Sequence, residues 1–196
     1  MKRLLDVLFS LSGLILLSPL IIYSAIRVKM DTTGNVFYKQ KRVGKHGREF
    51  YLYKFRTMHA NSDKVDLLTY GGDDPRITPF GSFLRKYKLD ELPQLFNVLR
   101  GDMSIVGPRP EVKRYTDLYN EEQRKVLNVK PGITDIASIT FIDENNLLVA
   151  QSDPEKYYIE HIMPEKIRLN QAFISSPSLL NYLRIIILTI KKIATR

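Results

Sequence analysis

The chain has 196 residues and a formal net charge of +9, and it contains no cysteine and three histidines. The lack of cysteine excludes disulfides and thiolate metal sites, and the scattered histidines offer no zinc cage. A chain of this length suits a single domain with its own core, and the basic excess predicts an anionic partner: nucleic acid, a phosphorylated small molecule or anionic lipid.

The first predicted element is an apolar segment of twenty residues, 7–26, which carries no charge. As a straight helix it would be about 30 Å long, enough to cross the core of a bilayer. A cleaved signal peptide fits the basic start of the chain, but no small-x-small cleavage site precedes Arg27. A buried core helix is disfavoured because the segment is apolar on every side. We therefore expect a membrane helix, either spanning or re-entrant.

The dipeptide Ser18-Pro19 lies near the middle of this segment. Proline removes a backbone hydrogen bond and crowds the preceding turn, at a cost of roughly 3 kcal/mol or more, so we expect a kink. Basic residues flank the segment at both ends, with Lys2 and Arg3 before it and Arg27 after it. The positive-inside tendency normally favours one end, so this pattern fits a helix that breaks and returns with both ends in the cytoplasm. Proline also occurs in ordinary spanning helices, and that alternative stays open.

A β-hairpin is predicted next, over residues 36–40 and 50–58, because both stretches are rich in aromatic residues and alternate in polarity. The loop between them contains Gly44 and Gly47. Residues 61–79 are polar and rich in turn formers, which predicts an irregular surface loop.

Most of the remaining chain is predicted to be helical. Helices are expected at 80–88, 93–100, 109–129, 153–162 and 164–174, with Gly101 ending the second and proline in the first turn of the last two. Residues 135–143, "DIASITFID", have the composition of a strand. The predicted fold class is therefore α+β and predominantly helical.

The C-terminal segment, 178–196, has an amphipathic pattern. Leu179, Leu183 and Ile187 share one face of a helix, while Lys191 lies opposite. Two interpretations stay open: a terminal helix that packs on the core, or an amphipathic helix in the lipid interface with its basic residues among the headgroups.

Asp90 and Glu91 are adjacent acids at a helix start marked by Pro93. The simplest interpretation is an exposed pair in which Asp90 caps the helix. Their position in or before the first turn also suits a phosphate, because backbone N–H groups point outward there. Two ionised carboxylates so close repel each other, which raises the pKa of one of them unless a cation binds. Since Mg²⁺ commonly takes one or two carboxylates plus phosphate oxygens, we expect Asp90 and Glu91 to bind it.

The sequence "GPRP" holds Arg109 between Pro108 and Pro110. Both prolines fix their own φ angles, and Pro110 biases Arg109 toward an extended conformation. A guanidinium on such a stiff turn is pre-organised for a bidentate phosphate contact. A plain turn with a solvated arginine is the alternative.

Further basic residues suit phosphate oxygens. Arg85 lies in the basic stretch before the acidic pair, and Lys54 and Arg56 lie on a probable strand within "YKFRTM". A second acidic pair, Asp73-Asp74, is the alternative metal site and lies in a glycine-rich loop.

Taken together, "KRLLD" before an apolar segment broken at Ser18-Pro19, "YKFRTM", "DPRITPFGSFLRKYKLDELPQLFNVLRGDMSIVGPRP" and "KPGIT" resemble the bacterial sugar transferases, also known as monotopic phosphoglycosyl transferases. The resemblance runs from Lys2 to about Thr134 in strong motifs and more weakly to the C-terminus.

This resemblance implies transfer of a sugar 1-phosphate from a UDP-sugar to a polyprenyl phosphate such as undecaprenyl phosphate, with release of UMP. It implies that Asp90 is the nucleophile of a covalent phosphosugar intermediate, that Glu91 belongs to the same dyad and that Mg²⁺ is required. It also implies that Arg109 helps to bind the nucleotide sugar, and that Lys54 and Arg56 lie near the active site.

The resemblance further implies an architecture and a location. Residues 1–30 would form the re-entrant membrane helix, and 31–196 a single cytosolic catalytic unit with amphipathic helices at the interface of the bacterial cytoplasmic membrane. The extra transmembrane helices of larger relatives are lacking, so we expect a minimal catalytic unit. Expected partners are the donor, the acceptor and membrane lipid, with a homo-oligomer or downstream glycosyltransferases as further candidates. Nucleic acid is not expected, because no base-stacking platform or known motif is present.

Two departures from the family pattern leave the identity of the sugar open. Lys88 precedes "LDELPQ" where many members have a small hydroxyl residue, and Asp135 follows "KPGIT" where a glycine-tryptophan pair is common. The rival function is a catalytically silent membrane-bound protein that binds nucleotide sugar or anionic lipid. Such a protein would keep the basic residues without requiring Asp90 and Glu91.

Overall fold

Two helices, α1 (Lys2–Leu16) and α2 (Ser18–Asp31), begin the computed structural model, which describes residues 2–59 and 74–195. The two axes are bent by 63°. The hydroxyl of Ser18 donates to the carbonyl of Ile15 at 2.8 Å, and Pro19 lies in the first turn of α2. The predicted break at Ser18-Pro19 is therefore confirmed. No single helix in the described ranges is long and apolar enough to cross a membrane. Taken together as a bent pair, α1 and α2 have the required length and composition.

The polarity of this helix pair is the reverse of that of a helix on a water-soluble protein. Asp6, Ser10 and Ser24 are buried, with exposed fractions of 3%, 0% and 0%. Large apolar side chains are exposed along the pair, whereas its exposed charged residues lie toward the two ends, at Lys2, Arg3, Arg27 and Lys29. The exposed large apolar residues are Leu4, Leu8, Phe9, Leu11, Ile15, Leu16, Ile22, Tyr23, Ile26 and Met30. The pair thus buries three polar residues beside the apolar Val28 and presents a largely apolar outer face.

The predicted hairpin is confirmed as antiparallel strands β1 (Phe37–Val43) and β2 (Glu49–Phe55). The first strand runs three residues further than the predicted 36–40, and the second ends at Phe55. A short 3-10 turn, Lys45–Gly47, closes the hairpin. The predicted irregular loop, 61–79, lies outside the described residues except for its last six positions.

Helices α3 (Pro79–Lys86) and α4 (Gln94–Arg100) follow as predicted. The hydroxyl of Thr78 caps α3 by accepting from the backbone N–H of Gly81 at 2.9 Å. Gly101 ends α4 with φ +92°, a left-handed conformation that glycine adopts without a side-chain penalty. A short parallel pair comes next, β3 (Ser104–Val106) with β4 (Gly132–Thr134).

The single helix predicted over 109–129 is instead three short pieces. These are α5 (Lys113–Thr116), α6 (Glu121–Arg124) and a 3-10 turn, Lys125–Asn128. The capping box of Asn120 and Gln123 starts a new helix inside the segment, which explains the break.

The strand predicted over 135–143 was wrong, because helix α7 (Ile136–Thr140) lies there. The carboxylate of Asp135 accepts from the backbone N–H of Ser138 at 2.8 Å and from its hydroxyl at 2.9 Å. This N-cap overrides the β propensity of the isoleucines and threonine that follow.

The C-terminal part consists of α8 (Glu144–Val149), α9 (Pro154–Tyr157), a π-helical turn (Tyr158–Ile162), α10 (Met163–Ser175) and α11 (Leu179–Ala194). The two helices predicted over 153–174 are thus joined through the π turn. Helix α11 buries Tyr182 and Ile185, whereas Leu180, Ile187 and Ile190 remain exposed. It therefore packs on the core through one face and keeps a second apolar face free. The α+β, mainly helical class is confirmed.

Candidate active site

The acidic pair lies in a 3-10 turn, Leu89–Glu91, between α3 and α4. Asp90 and Glu91 are both buried, each 7% exposed. Lys88 enters this turn in a left-handed conformation with φ 57°. For a residue with a side chain that conformation costs roughly 1–2 kcal/mol, and such strain is concentrated at functional sites.

Glu91 is held by two cations that come from distant parts of the chain. Arg109 donates to both of its carboxylate oxygens, at 2.7 and 3.2 Å, and the Lys54 ammonium lies 3.2 Å from one of them. Burial raises the pKa of Glu91, but Arg109 and Lys54 outweigh it and hold that pKa well below its usual value. Glu91 is therefore ionised at neutral pH, and its oxygens already have partners.

Asp90 has a different environment although it is the next residue. Its Oδ1 atom is buried and has no hydrogen-bond partner among the described residues. Burial raises the pKa of Asp90; Lys54 lowers it, and the charge of Glu91 raises it further. No side chain caps α4, whose N-cap is Pro93, so the simple capping role for Asp90 is not observed. The Asp90 oxygen is thus available to an incoming group.

Two of the predicted basic residues surround the pair. Lys54 extends from β2, and burial lowers its pKa, with Glu91 opposing the shift. Arg85, in the last turn of α3, donates to the hydroxyl of Thr57 at 2.8 Å, and burial lowers its pKa while Asp90 opposes the shift. The structure therefore brings Lys54 and Arg109 into contact with Glu91, and places Arg85 close enough to Asp90 for the two charges to interact.

Arg56 is placed differently from these three. Its guanidinium donates to the carbonyl of Thr32, just beyond the end of α2, at 2.7 Å. A side chain on Gly34 would clash with the same guanidinium. Arg56 also lines the cleft around Asp90, so it connects the helix pair to the site.

The turn containing Arg109 is braced by the "KPGIT" segment. The backbone N–H of Gly132 donates to Pro108 at 2.9 Å, and that of Gly107 donates to Thr134 at 3.0 Å. A Cβ atom on Gly132 would clash with the backbone of Gly107. The two backbones lie so close that only glycine fits, and this contact fixes the direction of Arg109 toward Glu91.

Sequence reasoning missed Arg42 as a member of the site. Its guanidinium donates to the carbonyl of Pro110 at 3.0 Å and lies 3.5 Å from the Glu111 carboxylate. Burial lowers the pKa of Arg42, with Glu111 opposing the shift. The missed signal was strand periodicity: Tyr38 pairs with Lys54, and Arg42 lies four residues further on the same face.

A cleft of about 1430 Å³ opens beside the acidic pair. Its lining includes the segment after α2, the hairpin, the Arg109 turn, α7, α8 and α11. The basic and acidic residues that line it include Arg42, Lys54, Arg56, Arg85, Asp90, Glu91, Arg109, Lys166 and Lys192. Other lining residues are Thr134, Ser138, Phe141, Asn145 and Tyr158.

The described residues contain no group of three or more acids and histidines that would form a metal cage. The free Oδ1 atom of Asp90 is the available ligand, because Glu91 is bonded to Arg109 and Lys54. This fits a Mg²⁺ ion held by one or two carboxylates and completed by phosphate oxygens and water. In the alternative pair, Asp73 lies outside the described residues and Asp74 pairs with Arg76 at 2.6 Å.

Comparison with known proteins gives a consistent match. The family model described as bacterial sugar transferase matches residues 1–196. The exopolysaccharide production protein ExoY of Sinorhizobium fredii is 42% identical over 154 residues, covering 71% of this chain and 68% of that protein. The UDP-glucose:undecaprenyl-phosphate glucose-1-phosphate transferase of Xanthomonas campestris pv. campestris is 45% identical over 146 residues, covering 70% and 29%.

A third relative is the UDP-N-acetylgalactosamine-undecaprenyl-phosphate N-acetylgalactosaminephosphotransferase of Aeromonas hydrophila. It is 38% identical over 165 residues, covering 82% of this chain and 37% of the relative. The chain thus spans well under half the length of two of these three relatives. Because the family model matches residues 1–196 and these relatives are 38–45% identical, the chain belongs to the bacterial sugar transferase family.

Proposed function

We propose that the protein transfers a sugar 1-phosphate from a UDP-sugar to undecaprenyl phosphate and releases UMP, as the first membrane step of a glycoconjugate pathway. Two relatives are named for transfers to undecaprenyl phosphate from UDP-glucose and UDP-N-acetylgalactosamine. The observation that carries the proposal is the contrast within the dyad. Asp90 has a free buried oxygen, while Glu91 is locked by Arg109 and Lys54.

Asp90 acts as the nucleophile in the first half-reaction. One of its carboxylate oxygens attacks the β-phosphorus of the donor, and the bond from that phosphorus to the oxygen bridging the α-phosphate breaks. The electron pair of that bond leaves with UMP, and an aspartyl phosphosugar remains on the protein. Burial favours the attack because a poorly solvated carboxylate loses little hydration when it meets phosphorus.

The acceptor completes the cycle in the second half-reaction. A phosphate oxygen of undecaprenyl phosphate attacks the same phosphorus, the bond to Asp90 breaks, and the carboxylate is restored. UMP leaves before the acceptor reacts, so the kinetics are ping-pong.

The cations of the site stabilise the charge on the transferring phosphoryl group. Arg109 and Lys54 contact Glu91, the neighbour of Asp90, and the Arg85 charge interacts with Asp90. Fixed cations of this kind act as a clamp in phosphoryl transfer. Glu91 keeps Arg109 and Lys54 in place. Asp90 would hold a Mg²⁺ ion, which would supply Lewis-acid neutralisation of the phosphate charge.

The N-terminal helices would place this chemistry at the cytoplasmic face of the bacterial inner membrane. Asp6, Ser10 and Ser24 are buried while large apolar side chains are exposed along both helices, as expected where lipid replaces water. In this proposal residues 1–30 enter the bilayer and return, and 31–196 form the catalytic unit at the interface. The exposed apolar face of α11 lies in the same interface.

Rapid quench followed by intact-mass measurement tests the proposed function. Wild-type protein in detergent is mixed with Mg²⁺ and single UDP-sugars, including UDP-glucose and UDP-N-acetylgalactosamine, without acceptor. We expect stoichiometric UMP and a mass increase equal to the sugar phosphate, both absent in Asp90→Asn. Binding of a UDP-sugar without UMP release, even with undecaprenyl phosphate, would identify a silent binding protein. UMP release only with acceptor and no adduct would indicate direct transfer.

A further inference from the structure

Strand β2 has one edge that no strand in the described part of the chain pairs with. Its other edge pairs with β1, and the two strands form a sheet of their own. The backbone groups that point away from β1 therefore need partners from elsewhere, because a polar group withdrawn from water is costly without a hydrogen bond. This edge includes Tyr53, the residue before Lys54. Whatever binds the edge therefore bears on the position of the Lys54 ammonium.

The side chain of Asn97, in α4, binds this edge. It is fully buried, with an exposed fraction of 0%. Its Oδ1 atom accepts from the backbone N–H of Tyr53 at 3.1 Å, and its Nδ2 atom donates to the carbonyl of Tyr51 at 2.7 Å. A residue in a parallel ladder bonds in the same way to the two residues that flank its neighbour. The Asn97 amide thus takes the place of a neighbouring strand beside Leu52.

Asn97 is itself held in place from several sides. Its carbonyl accepts from the backbone N–H groups of the three residues that follow α4: Gly101, Asp102 and Met103, at 3.1, 3.0 and 3.3 Å. Its Nδ2 atom makes a longer hydrogen bond, of 3.4 Å, to the Asp102 carboxylate. The next residue, Val98, is 0% exposed and belongs to the same apolar cluster as Leu52. The amide is therefore a fixed support for the strand.

The stretch of chain that carries Asn97 also carries the acidic pair. The backbone stays helical from the turn Leu89–Glu91 through Leu92 and Pro93 into α4, so Glu91 and Asn97 lie six residues apart on one continuous piece. Two contacts join β2 to this piece: the Asn97 amide, and the Lys54 ammonium 3.2 Å from Glu91. A lysine side chain is a flexible four-carbon stem, so the position of its strand decides where the ammonium rests.

Resting on the proposed function, we propose that Asn97 is a positioning residue, which fixes β2 so that the Lys54 ammonium stays beside Glu91 and the transferring phosphoryl group. A displacement on the order of 1 Å within an active site can lower the rate by about 100-fold. The Asn97 side chain bonds to the strand and not to the dyad, so its effect on the reaction passes through Lys54.

A double-mutant cycle tests this role. Asn97→Ala and Asn97→Ser are made in the wild-type protein and in Lys54→Met protein. Serine retains one hydroxyl, so it is the milder change if the alanine variant does not fold. Asn170→Ala is the matched control, because Asn170 is a buried asparagine in α10, 5% exposed. The kcat/KM for UMP release is measured in detergent at a temperature at which each variant is folded, and thermal unfolding gives the stability of the same set.

In the wild-type background we expect Asn97→Ala to lower kcat/KM by roughly 10- to 100-fold, Asn97→Ser by less, and Asn170→Ala by less than about threefold. With Lys54→Met in place, both changes at Asn97 should cost less than about threefold, because the ammonium that they would displace is gone. Fully additive losses would mean that Asn97 only stabilises the fold, and the proposal would fail. It would fail equally if Asn170→Ala showed the same non-additivity with Lys54→Met.

Thermal unfolding separates these outcomes from a failure of the proposed function, because it needs no turnover. Lys54→Met should cost less stability in Asn97→Ala protein than in wild type, since a displaced Lys54 no longer pairs with Glu91. Equal costs in the two backgrounds would show that Asn97 does not hold Lys54 in place. A wild-type protein that releases no UMP would refute the proposed function, and the stability cycle would still decide whether Asn97 positions Lys54.

Discussion

Arg109 donates two hydrogen bonds to Glu91, at 2.7 and 3.2 Å, across 18 residues of chain. This bidentate contact is the strongest described link between the "GPRP" turn and the dyad. It gives the two acids unequal roles, because the Arg109 charge compensates that of Glu91, whereas Asp90 keeps a free oxygen. Burial lowers the pKa of Arg109 while Glu91 raises it more, so the net pKa lies above its ordinary value. The pair therefore stays charged over the whole working range of pH.

Replacing Arg109 with lysine keeps the charge and removes the bidentate geometry. Hydrogen bonds to charged groups contribute about 1.5–3 kcal/mol, so we expect Arg109→Lys to lower kcat/KM for UMP release by roughly 10- to 150-fold. Arg168→Lys is the matched control, because Arg168 forms a similar bidentate pair with Glu165 on the exposed surface. Equal activity in the two variants would contradict the role given to the Arg109 fork.

Asp90→Asn should remove activity and stabilise the folded protein. Since the folded pKa of Asp90 is raised, its contribution to folding is most favourable below the unfolded pKa, about 3.9, and is lost as pH rises through the folded pKa. At pH 7 a neutral amide therefore raises the free energy of unfolding, by roughly 0.5–2 kcal/mol. Thermal unfolding in detergent at pH 7 and pH 4 measures this gain, which should shrink at the lower pH. A lower melting temperature at pH 7 would mean that the Asp90 charge is well solvated or paired.

The contrast between Asp90 and Glu91 shows how much of the site could be predicted from the sequence. The resemblance to the family implied that Lys54, Asp90, Glu91 and Arg109 belong to one site. Which of the two acids is paired with cations depends on Lys54 and Arg109, which lie 37 and 18 residues from Glu91 in the chain. The side-chain direction of Lys54 follows from strand register, and that of Arg109 from the Gly107 contact. Local pattern does not contain that information.

The secondary-structure prediction was wrong where a single side chain outweighed the local composition. Residues 135–143 have the composition of a strand because they contain β-branched residues, yet the Asp135 cap starts a helix there. The end of α4 at Gly101 was predictable, because the glycine and the end of the apolar pattern both mark the same position. The burial of Asp6, Ser10 and Ser24 was not visible in the sequence, since it depends on which elements pack against α1 and α2.

The pH dependence of UMP release should report the environment of Asp90. Its carboxylate must be deprotonated to attack, so activity should rise with pH through a pKa above the ordinary carboxyl range. Lys54 lowers that pKa more than Lys88 does, so Lys54→Met should move the acid limb of kcat/KM further upward than Lys88→Gln. An acid limb that stays near pH 4 in all three proteins would contradict the raised pKa.

The path of the N-terminal helices can be tested by cysteine labelling, since the chain has no cysteine of its own. Lys2→Cys and Met30→Cys place single thiols at the two ends of the bent pair, and Lys45→Cys marks the exposed hairpin turn. In intact spheroplasts we expect all three to resist a membrane-impermeant maleimide and to react after lysis. Labelling of Lys2→Cys alone from outside would mean an ordinary spanning helix, and the re-entrant proposal would fail.

The contact between Asp6 and Tyr182 joins the first helix to the last. One oxygen of Asp6 accepts from the Tyr182 hydroxyl, the Ser104 hydroxyl and the backbone N–H of Ile105, each at 2.8 Å. Asp6, Ser104 and Tyr182 are buried, and Ile105 is partly buried. Water therefore does not replace a hydrogen-bond partner that is lost from this cluster. This cluster therefore sets the position of α11 against α1 and β3.

Tyr182→Phe keeps the ring and removes one donor, so we expect it to destabilise the protein by about 1.5–3 kcal/mol. Asp6→Ala should cost more, because it leaves the donors of Tyr182 and Ser104 buried without an acceptor, whereas Asp6→Asn retains one acceptor and should cost less. Thermal unfolding in detergent and limited proteolysis of the α11 connection measure the three variants. Tyr51→Phe is the matched control, since Tyr51 is 52% exposed. If Tyr182→Phe is no less stable than this control, α11 is held by apolar packing alone, and the shared carboxylate does not connect the two ends of the chain.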